Sequence, residues 1–371
     1  MARIIKVGAG GSEIDWHEAL KDLRADDVLL IEPGFYELPQ GLELTDITLK
    51  GMGSTPEDTT ILGYISTSED SRFVNLENLC INTNTDHNSL SVPTEANGYL
   101  SLRNCIIKGT NTDTAAIAIN GKTTLELYST KVINGSLSMF ANSDFRLEMN
   151  DSVIDYASDE FCALALEGKG TAIINNSCIH GSTNTFEKTN MELDINNSKL
   201  DYILLRGQTW LNMLNSEILS TEDSCLYISD SCWSNIVGSK FHGGVFLDKE
   251  TRTIIQNCTI NRMIAVDKAK ITMTNSQIIA HADFQDEANA DATRVGFNGN
   301  MDYEYFLALS GRARLAGHDL ILNANDSQLA VQDDAHFNTN VLASDKSSIE
   351  VECNKVPNVK IMGMHWTAKK K

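Results

Sequence analysis

Proline is scarce in this chain: 5 residues among 371. No Pro/Gly/Ser-rich stretch divides it, so the sequence predicts one continuous domain over 1–371. A chain of this length is too long for one ordinary compact core, but a repeat fold escapes that limit because each repeat touches only its neighbours. No run of 18 apolar residues is present, which excludes a membrane-spanning helix of the usual kind. The opening "MARIIKVGAGG" lacks a secretory apolar stretch, so a cytoplasmic location is the default expectation. The 8 cysteines include no CxxC and no metal-ligand spacing. They read as buried free thiols in a reducing compartment. Positive charge is also short, with 30 Lys and Arg against 50 Asp and Glu, a net charge of −20. That argues against a general nucleic-acid binder, which needs a cationic surface.

What is present in abundance is one short phrase. "ITMTNSQIIA" (271–280) has relatives in "AIINNSCIHG" (172–181), "LDINNSKLDY" (193–202), "LNMLNSEILS" (211–220) and "TIIQNCTINR" (253–262). Aligned on the turn residue, the positions are Asn78, Asn104, Ser129, Asp151, Asn176, Asn197, Asn215, Gly238, Asn257, Asn275, Gly317, Asn338 and Asn354. Most lie roughly 16–26 residues apart, the period of a solenoid. Asn and Gly enter the left-handed region at low cost, which suits a sharp corner.

Alternation follows each corner. One place on, the column runs from Leu79 and Cys105 through Thr130, Ser152, Ser177, Ser198, Ser216 and Ser239 to Cys258 and Ser276. Three places on, it is aliphatic or aromatic: Ile81, Ile107, Val132, Ile154, Ile179, Leu200, Ile218, Phe241, Ile260 and Ile278. The two-residue period of a strand puts both columns on one face, the inside of a coil. Before the corner, Leu125 and Leu127, Ile173, Leu211 and Met213, and Ile271 and Met273 are assigned inward as well. A third strand recurs as "AIAIN" (116–120), "CALALEGK" (162–169), "CLYISD" (225–230) and "FLALSGR" (306–312).

An all-β solenoid with three strands per coil and about 12–13 coils follows from this period. It resembles the right-handed parallel β-helix of the pectin lyase-like superfamily over nearly the whole chain. The right-handedness is implied by the resemblance. "SEIDWHEALKDL" predicts an amphipathic capping helix at 12–25, with Ser12 as N-cap, covering the open edge of the first coil. Residues 355–371 are read as a C-terminal cap and tail.

One step is too long. Asn275 and Gly317 are 42 residues apart (317 − 275) with one third-type strand between them, which predicts a loop insertion at 281–305. Long loops on regular scaffolds often carry function. Asp283, Asp286, Glu287, Asp291, Tyr303 and Tyr305 are therefore candidate ligand-binding residues. The carboxylates suit Ca²⁺, although no calcium motif is present, and no other cofactor is expected. The tyrosines suit sugar rings.

The resemblance implies a working surface on the outside of the third strand. The outward row is expected at Ala118, Ser138, Ala165, Leu204, Tyr227, Phe246 and Ala265. It holds no carboxylate, Lys or Arg, and so lacks the calcium-binding Asp residues and basic residue of the pectate lyases. The polygalacturonase set and the alginate-epimerase motif are missing too; "NTD" (111–113) and "HGG" (242–244) stand alone. Tyr227 and Phe246 join the ligand-binding candidates. An apolar row of this kind reads either as an interface, including one between copies of the chain, or as a face covered by loops.

The catalytic candidates are Asp155, His180 and Asp201, each four places after a corner. Two coil spacings separate the carboxylates by about 9–10 Å, near the upper limit of roughly 6.5–9.5 Å for an inverting glycosidase pair. The competing reading is a solvated face with cross-coil pairing among Lys199, Glu217 and Lys240. Asp86, Asp113, Asp159, Glu160, Glu222 and Asp223 are expected to make an acidic edge. Together these features predict a non-catalytic binding scaffold for a polysaccharide or protein, with a polysaccharide lyase or glycoside hydrolase as the alternative.

Overall fold

A computed structural model of the chain describes residues 3–8, 14–83, 85–110, 114–158 and 160–370. The protein is an all-β parallel β-solenoid. It divides into two compact units, residues 1–194 and 195–371. In the first unit the strands before the corner stack in register from Ile47–Gly51 through Phe73–Glu77, Asn97–Arg103 and Lys122–Tyr128 to Asp144–Asn150 and Lys169–Asn175. In the second unit the corresponding sheet runs through Gln208–Leu214, Trp233–Val237, Arg252–Gln256, Lys270–Thr274 and Asn289–Thr293. Each unit has a second sheet after the corner and a third beyond it, all pairs parallel. There are about 16 coils, more than the Asn-based alignment counts. That alignment begins only at Asn78, and coils precede it.

The corner explains the repeated phrase. Asn78, Asn104, Ser129, Asp151 and Asn176 all have φ of 49–52°, and Asn197, Asn215, Gly238, Asn257 and Asn275 have φ of 48–63°. The corner N–H donates forward to a carbonyl of the next coil, as Asn215 does to Val237 at 2.9 Å. Two residues later the donation runs backward: the Glu217 N–H bonds the Ser198 carbonyl, 2.9 Å. The residue between sits where the hydrogen bonds change direction, and its N–H has no strand carbonyl opposite. A side chain meets it. The Ser198 N–H donates to Ser216 Oγ (3.1 Å), Ser216 to Ser239 Oγ (3.2 Å), Ser239 to Cys258 Sγ (3.4 Å) and Cys258 to Ser276 Oγ (3.1 Å). The first unit repeats this from Cys105 through Thr130 and Ser152 to Ser177. Each hydroxyl then donates to the carbonyl two residues before it, as Ser216 does to Leu214 at 2.9 Å. A buried N–H without such a partner would be costly. Beside this ladder the aliphatic column, Ile81 to Ile278, is fully buried.

Four expectations are corrected. First, 281–305 is no insertion. His281–Phe284 end one third-sheet strand, Asn289–Thr293 and Gly296–Asn298 flank a corner at Arg294 (φ 55°), and Tyr305 opens the next third-sheet strand. An arginine at the corner, small Ala290 and Ala292 inside, and Val295 in place of serine hide this coil from the pattern. The serine ladder ends there too. Second, the next corner is Asp319 (φ 57°), and Gly317, Asn338 and Asn354 are not left-handed. Gly317 lies within a strand; a Cβ there would meet Leu320 and Thr339 side-chain atoms at 2.7 Å. Third, the helix covers only Trp16–Lys21, capped by Asp15, whose side chain accepts from the His17 and Glu18 N–H groups. Ser12 lies outside the described residues. Fourth, 355–371 is no separate cap: Val359–Met362 and His365–Lys369 are further parallel strands, with Val359 and Ile361 inside. In addition, Ile173 faces outward opposite Glu148, and its neighbours Ala172 and Ile174 fill the interior. The eight cysteines are free, six of them buried.

Ser216→Ala leaves the Ser198 N–H without its acceptor and should cost about 1–3 kcal/mol in urea denaturation. Ser216→Cys should cost clearly less, because sulfur already fills this position at Cys258. Equal losses for the two variants would contradict the ladder's role.

Candidate functional site

Of the column proposed for catalysis, two members lie in the first unit and one in the second. Asp155 and His180 are register partners in the first unit. The His180 ring lies against a thiol that the sequence reading passed over, with Nε2 to Cys178 Sγ at 3.4 Å. Asp201 belongs to the second unit. There His242, four places after its corner, pairs across coils with a residue two places after the preceding one. His242 Nε2 lies 2.6 Å from Glu217 Oε1, and Lys199 and Lys240 stand 3.5 and 3.7 Å from the same carboxylate. The His242 hydrogen bond, with help from Lys199, holds the Glu217 carboxyl below its ordinary range.

The former insertion residues go to different faces because they belong to a regular coil. Asp286 is a left-handed turn residue (φ 57°), and Glu287 pairs with Arg312. Asp291 lies on the sheet before the corner, between Thr272 and Ala316. Tyr303 stacks on His281 with centroids 5.1 Å apart, and its hydroxyl accepts from Arg262 (2.8 Å). Arg262 also binds Asp223, so that member of the expected acidic edge is neutralised. Asp113 and Asp159 lie outside the described residues. The Tyr305 hydroxyl donates to Glu352 Oε2 at 3.2 Å.

The outward row of the third sheet is corrected in one place. Bulges between Phe241 and Gly244 and between Ile260 and Arg262 shift the register, and a one-residue shift exchanges the faces. Ala265 therefore points inward, between Leu247 and Phe284. The row runs Leu204, Tyr227, Phe246, Ile264, Asp283, Ala308. A carboxylate does stand in it. Tyr227 and Phe246 stack with centroids 5.1 Å apart, and the Tyr227 hydroxyl donates to Asp248 Oδ2 at 2.6 Å. Asp283 lies between Ile264 and Ala308, and burial pushes its carboxyl up despite a 2.6 Å hydrogen bond from Gln285. In the first unit, outward Ala118 and Ser138 are buried, which fits a covered face there.

A further surface emerges only in three dimensions. On the pre-corner sheet of the second unit, one outward row reads Trp210, Trp233, Arg252, Lys270, Asn289, Arg314, His336. The two indoles stack at 5.5 Å and 11°, and Arg252 lies 4.8 Å from the Trp233 ring centroid. Trp210 is 57% exposed and Trp233 44%. The row two residues along supplies Asn212, Asn235, Ile254, Thr272 and Asp291. Between the rows lies a groove of about 430 Å³, and a second of about 450 Å³ shares Asn289 and Asp291 with it and continues to Lys360. Six coil steps from Trp210 to His336 span about 29 Å. The signal was present in the sequence: Trp210, Trp233, Arg252 and Lys270 each stand five places before a corner.

Compared with known proteins, the chain matches no family model and no curated sequence. Among the described residues no helix is long and apolar enough to cross a membrane, and no cluster of His, Cys, Asp and Glu is placed to hold a metal ion.

Asp283 gives a pH test. Its folded pKa is raised, so the folded state binds more protons than the unfolded state, and stability falls as pH rises above the ordinary carboxyl range of about 3.9. Asp283→Asn should therefore be at least as stable as the parent at pH 7, with the difference vanishing below about pH 4. Thermal midpoints at the two pH values decide it; a variant markedly less stable at pH 7 would show that the carboxylate is a structural partner.

Proposed function

We propose that the chain is a pectin lyase-like β-helix acting as a non-catalytic scaffold, and that it binds an extended carbohydrate chain lengthwise along the groove of the second unit. The observation that carries this reading is the exposed Trp210–Trp233 stack at the head of a groove about six coils long. Exposed indoles are costly to leave in water and offer large, rigid contact area. The groove adds amide and hydroxyl groups from Asn212, Asn235 and Thr272, which suit a hydroxylated ligand. A linear polymer fits a row that repeats every coil; a compact ligand would use only part of it.

An enzymatic reading has one observation in its favour, the raised carboxyl of Asp283 on the third sheet. Its row neighbours Ile264, Ala308 and Ala330 offer neither a base nor a charge stabiliser.

Tryptophan fluorescence titration against a panel of linear plant, algal and bacterial glycans tests the binding reading. Trp210→Ala/Trp233→Ala should weaken binding by about tenfold or more, the loss of roughly 1.4 kcal/mol of stacking and burial. Unchanged affinity would remove the groove from consideration. Product release from any of these glycans, abolished by Asp283→Asn, would establish the enzymatic reading instead.

A further inference from the structure

Two of the eight free cysteines, Cys162 and Cys178, are partly exposed, and the other six are buried. Their surroundings differ. Cys162 takes a hydrogen bond from the Asn184 side-chain amide at 2.8 Å, and burial pushes its thiol up. Cys178 stands two places after the corner at Asn176 and His180 four places after it, so both point outward from one strand, Cys178–Thr185. Unlike Cys105 and Cys258, which make hydrogen bonds inside the coil, Cys178 faces out. The His180 Nε2 lies 3.4 Å from its Sγ. On the preceding coil the register partners are Val153 for Cys178 and Asp155 for His180. A thiol, an imidazole and a carboxylate therefore stand side by side, the carboxylate one coil away, about 4.8 Å along the stack.

We propose that Cys178 and His180 form a nucleophile–base pair that exchanges with a low-molecular-weight disulfide, making Cys178 a site of reversible S-thiolation. Only the thiolate attacks, and an ordinary thiol with a pKa of about 8.5 is a few per cent thiolate at pH 7. His180 accepts the proton from Cys178 Sγ. The thiolate attacks one sulfur of R–S–S–R; the bond from Sγ to that sulfur forms as the old S–S bond breaks. The departing RS⁻ takes the proton from the imidazolium and leaves as RSH. Cys178 is thereby oxidised to a mixed disulfide, and half of the reagent is reduced to thiol. With Asp155 one coil away, the transient imidazolium forms beside a carboxylate. The strand selects exchange over acyl transfer. Its N–H groups point sideways at the adjoining coils, as the Cys178 N–H does to the Ser152 carbonyl at 3.0 Å. The strand's backbone thus offers Sγ no converging donors for the oxyanion that acyl transfer creates. Exchange creates none: the charge passes to the leaving sulfur, which the imidazolium protonates. The adduct also lasts, for want of a resolving thiol. In the first unit the rows of Cys178 and His180 hold Lys131, Val153, Ile133 and Asp155, and Cys162 lies by Asn184, six residues further along the strand.

The test follows each cysteine separately. The full chain is incubated at pH 7 with excess oxidised glutathione, quenched in acid at intervals and mapped by peptide mass spectrometry. The proposal expects a mixed disulfide at Cys178, removed by dithiothreitol, while Cys162 and the six buried cysteines stay unmodified over the same interval. His180→Gln and His180→Asn, each checked for an unchanged circular dichroism spectrum and thermal midpoint, should slow the reaction of Cys178 by about tenfold or more. Both should also lose the far-ultraviolet thiolate absorbance that Cys178→Ser loses, a change that a merely structural histidine does not produce. Equal rates in the parent and the His180 variants would show that exposure alone governs the thiol and would overturn the pair. Cys162 reacting as fast as Cys178, or Cys178 left unmodified, would overturn it as well. Conversion of Cys178 to a sulfenic acid by hydrogen peroxide, with glutathione disulfide leaving it untouched, would reassign the pair from disulfide exchange to hydroperoxide reduction.

Discussion

Everything in this fold depends on what happens to one backbone N–H per coil. At each left-handed corner the chain turns from one sheet to the next, and the direction of inter-coil hydrogen bonding reverses. The residue at the reversal has an N–H inside the coil with no carbonyl opposite. From Cys105 to Ser177 and from Ser198 to Ser276, serine, threonine or cysteine of the following coil accepts that bond and passes its own proton back to a nearby carbonyl. The small polar side chain thus satisfies a buried donor without taking the space the aliphatic column needs. The Asn-Ser phrase is the record of this arrangement: the first residue takes the strained conformation and the second repairs its hydrogen-bonding consequence.

Because the ladder holds corner against corner, outward side chains also fall into register. Each position of the repeat becomes a straight row on a sheet. A solenoid of this kind builds a site by choosing one residue type over several consecutive coils, rather than by bringing distant loops together. The row five places before the corner in the second unit is such a choice. Its indoles stack on successive coils, and Arg252 and Lys270 follow on the next two.

The architecture was largely legible in the sequence because the corner tolerates few residues. Asn, Gly, Asp and Ser announced ten corners, and the buried columns beside them followed by alternation. Reading failed where the physics admits a substitute. Arg294 takes the left-handed conformation, and Val295 replaces the ladder serine. A regular coil therefore looked like a loop, and its carboxylates and tyrosines looked like one cluster. A bulged strand caused the other error: a shift of one residue near Asn261 put Ala265 inside, which alternation counted from the corner does not reveal, whereas Asp283 follows that alternation and was hidden by the supposed insertion. The groove escaped for another reason. Trp210, Trp233 and Arg252 are far apart in the chain, each is ordinary alone, and only the stacking of coils joins them.

The central claim, that the ligand lies along the pre-corner sheet of the second unit, is tested most directly by lysine footprinting. The full chain is acetylated with and without a saturating linear glycan, and modified peptides are quantified by mass spectrometry. Lys270 and Lys360 line the groove; Lys249 and Lys268 line a separate pocket at the turn beyond the third sheet. The account predicts protection of Lys270 and Lys360 with Lys249 and Lys268 unchanged. Protection of the turn lysines, with Lys270 still freely modified, would contradict it.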